Sequence, residues 1–437
     1  MSFFIIFICI VILILLISWA KVNAFLAFLI SALLAALLLG IPIDQVSASI
    51  QKGIGDTLGS LVIIICLGVM LGKLVAESGA AQKITEALMK IFGKKHIQWA
   101  LMITGFIAGI PLFYNVGFVL MVPLIFSVVY QFKLPAVFIG LPMLAALSVT
   151  HGFLPPHPAP TALVAQFNAN LGLTLLYGIV IAIPAIIIAG PLYAQTLKKI
   201  KSTPLQTFQA RQLEPHELPG TANAFLSSLL PVILLILFTV LSMFLSKEHP
   251  LYPIIAFFGD PAIVMLISLA IATYTLGLKM GKKMIDIMNT YADGVKDISM
   301  ILLIVAGAGA LKQVFADSGV NDEIAGLLLG IDIHPLVLGW LICAIIRVCI
   351  GSATIAGLTT AGIVAPIVTQ GTVDPNLMVL SIGAGSLMFS HVNDGAFWLF
   401  KEYFNVSIKD TIRSWSMMET LVAIVGLAGV MILNMFI

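Results

Sequence analysis

The chain has 437 residues, of which 60% are hydrophobic and only 10% are charged, and its net charge is +2. Soluble domains are about half apolar and about a quarter charged, so this composition excludes a water-soluble protein and indicates a polytopic membrane protein. The small net charge also excludes a basic surface for nucleic acid. At about 20 residues per span, the length allows roughly ten to thirteen membrane crossings.

Taken in chain order, the first apolar run extends from Phe3 to Ala20, with its first charge, Lys21, at the far end. No basic residue precedes this run and no small-residue cleavage site follows it, so it predicts a first span rather than a signal peptide. Lys21 is expected on the cytoplasmic side. The remaining apolar regions lie near 23–41, 59–76, 97–197 (with interruptions), 224–245, 253–277, 298–314, 335–391 and 417–436.

The one long polar stretch, 198–220, lies almost at the midpoint and is rich in Pro, Gln and basic residues. Such a composition is typical of a cytoplasmic linker. We therefore predict a first transmembrane repeat over 1–197, a linker over 198–222 and a second repeat over 223–437.

The two halves share three sequence blocks in the same order. The blocks are KLVAESGAAQKITEALM (73–89) with QVFADSGVNDEIAGLLL (313–329), VLMVPLI (119–125) with AGIVAPI (361–367), and LSVTH (147–151) with LMFSH (387–391). The first and third pairs are separated by 240 positions, and the prolines of the second pair, Pro123 and Pro366, by 243. Such nearly constant spacing predicts an internal repeat.

Charge predicts how the repeats are oriented. Residues 73–95 carry five lysines, whereas the equivalent 313–335 carries no Lys or Arg; farther on the bias reverses, because 156–174 is uncharged and 396–414 carries three basic residues. Lys and Arg accumulate on the cytoplasmic side, so equivalent loops should face opposite sides. The predicted fold is an all-α polytopic membrane protein with two inverted-topology repeats, re-entrant hairpins and broken helices, an arrangement typical of secondary transporters.

Four segments place helix-breaking and polar residues inside apolar regions. They are GIPLFYNVGFVLMVP (109–123), SVTHGFLPPHPAPTAL (148–163), RVCIGSATIAGLTTAGIVAP (347–366) and SHVNDGAFWLF (390–400). A helix broken within a bilayer leaves backbone groups unpaired unless protein, water or a ligand satisfies them, and an inward helix N-terminus attracts a carboxylate. Each segment can therefore form part of a substrate site. Alternatively, the same residues can produce simple kinks or close helix packing through small residues.

Two charged residues stand out because charge is costly inside a membrane. Arg347 can receive a substrate carboxylate or can be a structural partner that extends to the interface. Asp394 can carry a coupling proton, accept hydrogen bonds from substrate hydroxyls or cap the helix that opens at Gly395. His151 and His391 are matched across the repeat, and each can change protonation near neutral pH.

Enzymatic chemistry finds no support in the sequence. Cys9, Cys66, Cys343 and Cys349 lie in apolar runs without CxxC spacing, the histidines lack carboxylate partners at helical spacing, and no GxxxxGK[ST] loop is present. We therefore expect no catalytic residues, no metal site and no cofactor. The sequence also argues against a channel, because a channel would not need a pair of inverted, proline-broken segments.

At these motifs the chain resembles the gluconate permease family of gluconate:H⁺ symporters, within the ion-transporter superfamily. The matching segments are PLFYNVGF (111–118), SVTHGFLPPHPAPTAL (148–163), DSGV (317–320), GSATIAGLT (351–359), SHVNDGAFWLF (390–400) and SWSMMET (414–420). The resemblance covers essentially the whole chain. It implies proton-driven uptake of gluconate or a related sugar acid across a bacterial inner membrane, with the broken segments forming the binding site.

The sequence and the resemblance together define the expected site. Substrate is expected at Tyr114, Asn115, Thr150, His151, His157, Arg347, Ser352, Thr354, Thr359, His391 and Asn393, and the coupling proton at Asp394, His151 or His391. Asn115 departs from the acidic residue found there in several family members, so it cannot itself take a proton. The partners expected are a small sugar acid, protons, the bilayer and a second copy in a homodimer; the alternative substrate is D-serine or another small hydroxy acid.

Overall fold

A computed structural model describes residues 2–110, 114–155, 157–208, 213–243, 245–246, 248–320, 333–369 and 373–437. Every extended regular element within these ranges is helical, which confirms the all-α prediction. The helices are α1 (Ser2–Ser18), α2 (Ala24–Leu38), α3 (Ile43–Glu77), α4 (Ala80–Gly109), α5 (Tyr114–Phe132), α6 (Ala136–Phe153), α7 (Pro158–Gln166), α8 (Leu171–Leu197), α9 (Thr221–Met243), α10 (Tyr252–Phe258), α11 (Pro261–Met280), α12 (Met284–Asp317), α13 (Pro335–Ile350), α14 (Ala353–Thr369), α15 (Pro375–Gly385), α16 (Gly395–Phe404) and α17 (Ile408–Leu433).

Within the described part of the chain, eight helices are long and apolar enough to cross a membrane, namely α3, α5, α6, α8, α9, α11, α12 and α17. Shorter apolar helices include α1, α2, α13, α14 and α15. The chain is therefore a multi-pass membrane protein.

Two helices are longer than their apolar runs. α3 has 35 residues and α12 has 34, whereas the predicted spans covered only 59–76 and 298–314. Each helix begins with a polar section, and Asp44 and Asp286 lie in the respective first turns, where a carboxylate interacts favourably with the helix dipole. Hydropathy located only the apolar part of each helix.

Two predicted apolar regions are interrupted. The region 253–277 contains the end of α10 and the start of α11, where Asp260 accepts the N–H of Ala262 at 2.9 Å. The region 335–391 is divided into α13, α14 and α15; Gly351, with φ of +77°, ends α13, and Asp374 caps α15. A left-handed conformation is readily available only to glycine, so the α13 end depends on that residue.

The four segments predicted to break helices coincide with helix ends. α4 ends at Gly109 and α5 begins at Tyr114, although 111–113 lie outside the described residues. The other breaks lie between α6 and α7, between α13 and α14, and between α15 and α16. Broken helices are thus confirmed, and the inverted orientation of the repeats remains a prediction.

The predicted repeat has a local counterpart at the ends of α3 and α12. Ser78 Oγ donates to the carbonyl of Val75, and Ser318 Oγ donates to the carbonyl of Phe315, in both cases three residues back. The following glycines, at positions 79 and 319, have φ of +77° and +71°. Equivalent sequence positions therefore end their helices in the same way.

The chain forms two compact units. Unit 1 comprises the residues up to 59 together with 148–193 and 300–437, and unit 2 comprises 60–147 and 194–299. Each unit draws on both sides of the polar segment 198–220, so the units group the chain differently from the predicted halves. The division into 1–197, 198–222 and 223–437 remains a prediction.

Within unit 1, the first half of α3 packs against the second half of α12. Ser49 Oγ donates to Asp317 Oδ2 at 2.7 Å, and a Cβ on Gly53 would lie 2.5 Å from the carbonyl oxygen of Gly309. Residue numbers rise along one helix as they fall along the other. These two helix halves therefore run antiparallel.

Within unit 2, the second half of α3 packs against the first half of α12. Lys73 Nζ lies 3.2 Å from Asp297 Oδ2, and Thr290 Oγ1 donates to Glu77 Oε2 at 2.9 Å. The helix halves are again antiparallel, with a hydroxyl bonded to the acidic residue that precedes the Ser-Gly pair.

Candidate functional site

Three of the four interrupted segments meet inside unit 1. The ends of α6 and α15 approach closely, because a Cβ on Gly383 would lie 2.6 Å from the carbonyl oxygen of Gly152. The end of α13 reaches the loop before α16, since a Cβ on Gly351 would lie 2.2 Å from the carbonyl oxygen of Asn393. Glycines thus allow the broken helix ends to converge.

An ion pair lies at this convergence. Arg347, near the C-terminus of α13, is 4% exposed, and its Nη2 contacts Asp394 Oδ2. The guanidinium is buried, so the structural partner considered for Arg347 is Asp394 rather than a group at a membrane interface. A buried charge pair is costly to desolvate unless its remaining donors and acceptors are satisfied, so the partners of both side chains matter.

Asp394 has a complete set of donors. Its Oδ1 accepts the N–H of Ala396 at 3.0 Å, which makes it the N-cap of α16, and its Oδ2 also accepts from Ser390 Oγ. Ser390 Oγ in turn accepts Nε1–H of Trp415 at 2.8 Å. Asp394 therefore combines the capping role considered from the sequence with an ionic role toward Arg347.

The end of α13 is held by side chains from the same loop. Asn393 Nδ2 donates to the carbonyls of Val348 and Cys349 at 2.7 and 3.0 Å, and His391 Nε2 bonds the Val348 carbonyl at 2.8 Å. The last carbonyls of a helix have no partner within it. Asn393 and His391 supply those partners and so fix Arg347 relative to Asp394.

The break between α6 and α7 contributes its predicted residues to unit 1 as well. The rings of His151 and His157 are 5.2 Å apart at their centroids, and Thr150 is fully buried. The charges of Arg347 and Asp394 act on His151. His151 therefore lies within electrostatic range of the ion pair.

The hydroxyl residues after α13 line the start of α14. Ser352 Oγ accepts the N–H of Ile355 at 3.4 Å, and Thr354 lies in the first turn, partly exposed. Thr359 is also partly exposed and lies farther along the helix.

The two remaining predicted residues belong to unit 2. Tyr114 and Asn115 are the first two residues of α5; Tyr114 is buried with its ring 6.0 Å from that of Phe118, and Asn115 is partly exposed.

Within the described residues, several buried polar atoms around the Arg347–Asp394 pair lack a hydrogen-bond partner. They are Nε and Nη1 of Arg347 and Oδ1 of Asn393. Leaving such a group unsatisfied costs about 1–3 kcal/mol, and more for a charged group. The arrangement therefore offers N–H donors of a fixed cation, beside a free amide oxygen, to an incoming ligand. Among the described residues, no group of three or more His, Cys, Asp or Glu side chains is placed to hold a metal ion.

Comparison with known proteins identifies the family of this helical scaffold. The model of the GntP family permeases matches residues 1–436. The chain belongs to the GntP family of permeases. The family resemblance inferred from the motifs is confirmed, and the protein is a transporter rather than an enzyme.

Relatives of this GntP permease match over nearly their full length. A high-affinity gluconate transporter of Escherichia coli strain K12 is 48% identical, with 98% of each chain covered. The Gnt-II system L-idonate transporter of the same strain is 45% identical, covering 95% of this chain and 94% of the relative. A gluconate permease of Bacillus subtilis strain 168 is 41% identical over 96% of each chain.

The sequence reasoning missed one buried carboxyl of the GntP permease. Glu419 on α17 is 1% exposed, and Ser148 Oγ donates to its Oε1. A signal was available, because Glu419 is the sole charged residue between 414 and 437. Charge inside an apolar run is costly and indicates function, for Glu419 as for Arg347 and Asp394.

Proposed function

We propose that this GntP permease is a secondary active transporter that takes up gluconate or a related sugar acid together with protons, in a bacterial inner membrane. The carrying observation is the buried Arg347 guanidinium, which is held by Asp394 yet keeps Nε and Nη1 without partners. The relatives named as gluconate and L-idonate transporters support a substrate that joins one carboxylate to a chain of hydroxyls.

The substrate carboxylate is proposed to bind at the free side of Arg347. Charge-assisted hydrogen bonds between a guanidinium and a carboxylate are stronger than neutral ones, and this guanidinium is already oriented. Ser352 and Thr354 lie at the start of α14, where N–H groups and the helix dipole favour an anion.

The substrate hydroxyls are proposed to meet polar side chains around the ion pair. Asn393 Oδ1 is a buried acceptor without a partner, and a hydroxyl would satisfy it. The other proposed contacts are Thr150, His151, His157, Thr359 and His391, with Tyr114 and Asn115 of unit 2 retained from the sequence.

D-serine is a weaker candidate. Its ammonium group needs an anionic partner, and in this cluster Asp394 would be that partner. The Asp394 carboxylate, however, already accepts bonds from Arg347, Ser390 and the Ala396 N–H, which favours a polyhydroxylated anion over an amino acid.

Proton coupling is proposed on grounds of charge. A substrate anion entering a buried, already paired site adds a negative charge, which is costly in a low dielectric. A proton that enters with it removes that cost. Asp394, His151 and His391 are the ionisable members of the cluster proposed from the sequence to take part.

Alternating access through inverted repeats is part of the proposal. The antiparallel packing of α3 against α12 in each unit supports it, because the two helices occupy equivalent places in the sequence repeat. A homodimer that provides a fixed scaffold is proposed with it.

The test is uptake of radiolabelled gluconate into proteoliposomes under an imposed inward proton gradient. The expected result is accumulation that unlabelled gluconate and L-idonate abolish and that D-serine leaves unchanged. Uptake of D-serine without gluconate would overturn the substrate, and uptake of gluconate that ignores the proton gradient would overturn the coupling.

A further inference from the structure

Glu419 differs from the other charged residues of unit 1 in what surrounds it. It is 1% exposed, its Oε1 accepts one hydroxyl bond from Ser148, and its Oε2 is buried without any partner. Among the described residues, no Lys, Arg or His lies within ion-pair distance of it. It is a buried carboxyl without a counter-ion.

Glu419 nevertheless lies beside the proposed anion site. Trp415, one turn earlier on α17, bonds Ser390, which bonds Asp394. Ser148, the partner of Glu419, lies three residues before His151 on α6, and residues at this spacing share one face of a helix. Hydrogen bonds from Trp415 through Ser390 therefore link α17 to the Arg347–Asp394 pair, one turn from Glu419.

The elements packed against α17 carry several ionisable groups. α15 carries none, α8 carries Tyr177 and Tyr193, and α13 carries Arg347 with two cysteines. α16 carries Lys401, Glu402 and Tyr403, and α6, which contacts Glu419 through Ser148, carries His151. α17 itself carries Lys409, Asp410 and Arg413 in its first two turns, before Glu419, and the side chains of Lys409 and Arg413 are exposed. The fields that reach Glu419 are those of Arg347 and Asp394.

These surroundings determine the form that the carboxyl takes. An ionised carboxylate that is buried in an apolar medium without a cation is strongly disfavoured, whereas the neutral acid needs only modest hydrogen bonding. In this structure Arg347 is paired with Asp394, so no cation balances a negative charge on Glu419. The protonated acid is therefore the favoured form of Glu419. Asp394, with three donors, is accommodated as the carboxylate.

We propose that Glu419 is the residue on which the coupling proton resides while the free side of Arg347 is open to the substrate. This inference rests on the proposed proton-coupled uptake of a sugar acid and names the proton carrier within it. A proton taken from hydronium in the external water forms an O–H bond on Glu419, and Nε and Nη1 of Arg347 remain available to the substrate carboxylate. After the substrate departs, that O–H bond breaks, the proton passes to water on the cytoplasmic side, and the ionised Glu419 takes the place of the substrate at Arg347.

The mechanism makes substrate and ionised Glu419 mutually exclusive partners of one cation. Differential affinity of this kind couples two ligands, because gluconate binds well only when Glu419 is protonated. Coupling then needs no direct contact between gluconate and the proton.

The decisive variant is Glu419→Gln, which keeps the shape and the Ser148 contact but cannot release a proton. In proteoliposomes it is expected to retain exchange of internal for external gluconate in counterflow, because glutamine reproduces the uncharged, protonated form of the carboxyl and so leaves Arg347 open to the substrate. It is expected to fail to accumulate gluconate above the external concentration under an inward proton gradient. The matched control, Glu402→Gln, alters a glutamate already paired with Lys401 and should accumulate gluconate like wild type.

The outcomes separate this inference from the proposed function. Accumulation by Glu419→Gln with the wild-type dependence on the proton gradient overturns the assignment of Glu419 and leaves symport intact. Failure of wild type to accumulate gluconate under any proton gradient overturns the proposed function itself. If Glu419→Gln does not fold, Glu419→Asp provides the test, since it retains an ionisable group and should accumulate gluconate with an altered pH dependence; an unaltered pH dependence contradicts the inference.

Discussion

Two carboxyl groups of unit 1, those of Asp394 and Glu419, lie in one cluster but in opposite surroundings. Asp394 receives an arginine, a serine hydroxyl and a backbone N–H, whereas Glu419 receives one serine hydroxyl and keeps an oxygen without a partner. Donors stabilise the ionised form of a carboxyl, and burial without donors stabilises the neutral form. The two carboxyl groups therefore have different proposed roles toward Arg347. Asp394 holds the arginine in place, and Glu419 is free to exchange a proton.

Removal of Arg347, the cation on which the contrast between Asp394 and Glu419 depends, should have the largest effect. Arg347→Gln loses the cation that the substrate carboxylate needs and leaves Asp394 without its ionic partner. Losing one member of a buried charge pair costs about 2–5 kcal/mol of binding, so we expect the gluconate Kd, measured by equilibrium binding to purified protein, to rise at least about 30-fold. Arg413→Gln, at an exposed position of α17, is the control; equal losses in both variants would contradict the role of Arg347.

Asp394→Asn removes the charge but keeps the cap of α16, because asparagine is also a good N-cap residue. Arg347 then becomes a buried cation without a counter-ion, which costs about 3–5 kcal/mol. We expect a lower midpoint of thermal unfolding in detergent and loss of proton-driven gluconate uptake. Asp374→Asn, at the cap of α15, should change neither; accumulation by Asp394→Asn at the wild-type level would show that the carboxylate is not needed.

Gly351→Ala disturbs the backbone contact that positions Asp394 relative to Arg347. Its Cβ would lie 2.2 Å from the Asn393 carbonyl oxygen, and its φ of +77° is unfavourable for alanine by about 1–2 kcal/mol. The loop carrying Asp394 must shift, so the gluconate KM for uptake should rise several-fold. Gly362→Ala, where a Cβ meets nothing within 4 Å, is the matched control and should keep the wild-type KM.

Trp415→Phe should have the smallest effect. It removes the bond from Nε1 to Ser390 and retains most of the ring packing. An unmade bond to a buried group costs about 1–3 kcal/mol, and Ser390 keeps its bond to Asp394. We expect a modest fall in thermal stability with gluconate accumulation retained; complete loss of accumulation would mean that the link from α17 to Asp394 carries more than stability.

The sequence predicted where the helices break, because proline, glycine and polar residues in an apolar run act locally. It did not predict that the α13 end is capped by Asn393 and His391, since those contacts join positions more than forty residues apart. The ion pair was considered as two separate charges for the same reason. Hydropathy placed the apolar part of α3 and missed its polar first half, where helix formation does not depend on membrane burial.

Glu419 was missed although its isolation in an apolar run was visible. Broken segments directed attention to the loops, and Glu419 lies inside a continuous helix, where only the folded structure reveals its proximity to Arg347. A search for single charges in apolar runs would have found it together with Arg347 and Asp394.

The most direct test of proton-coupled gluconate uptake is a simultaneous recording of radiolabelled gluconate uptake and external alkalinisation in proteoliposomes that contain the wild-type protein. We expect gluconate and protons to enter in a fixed ratio, with both fluxes absent in Arg347→Gln. Gluconate entry without any movement of protons, or unchanged fluxes in Arg347→Gln, would contradict it.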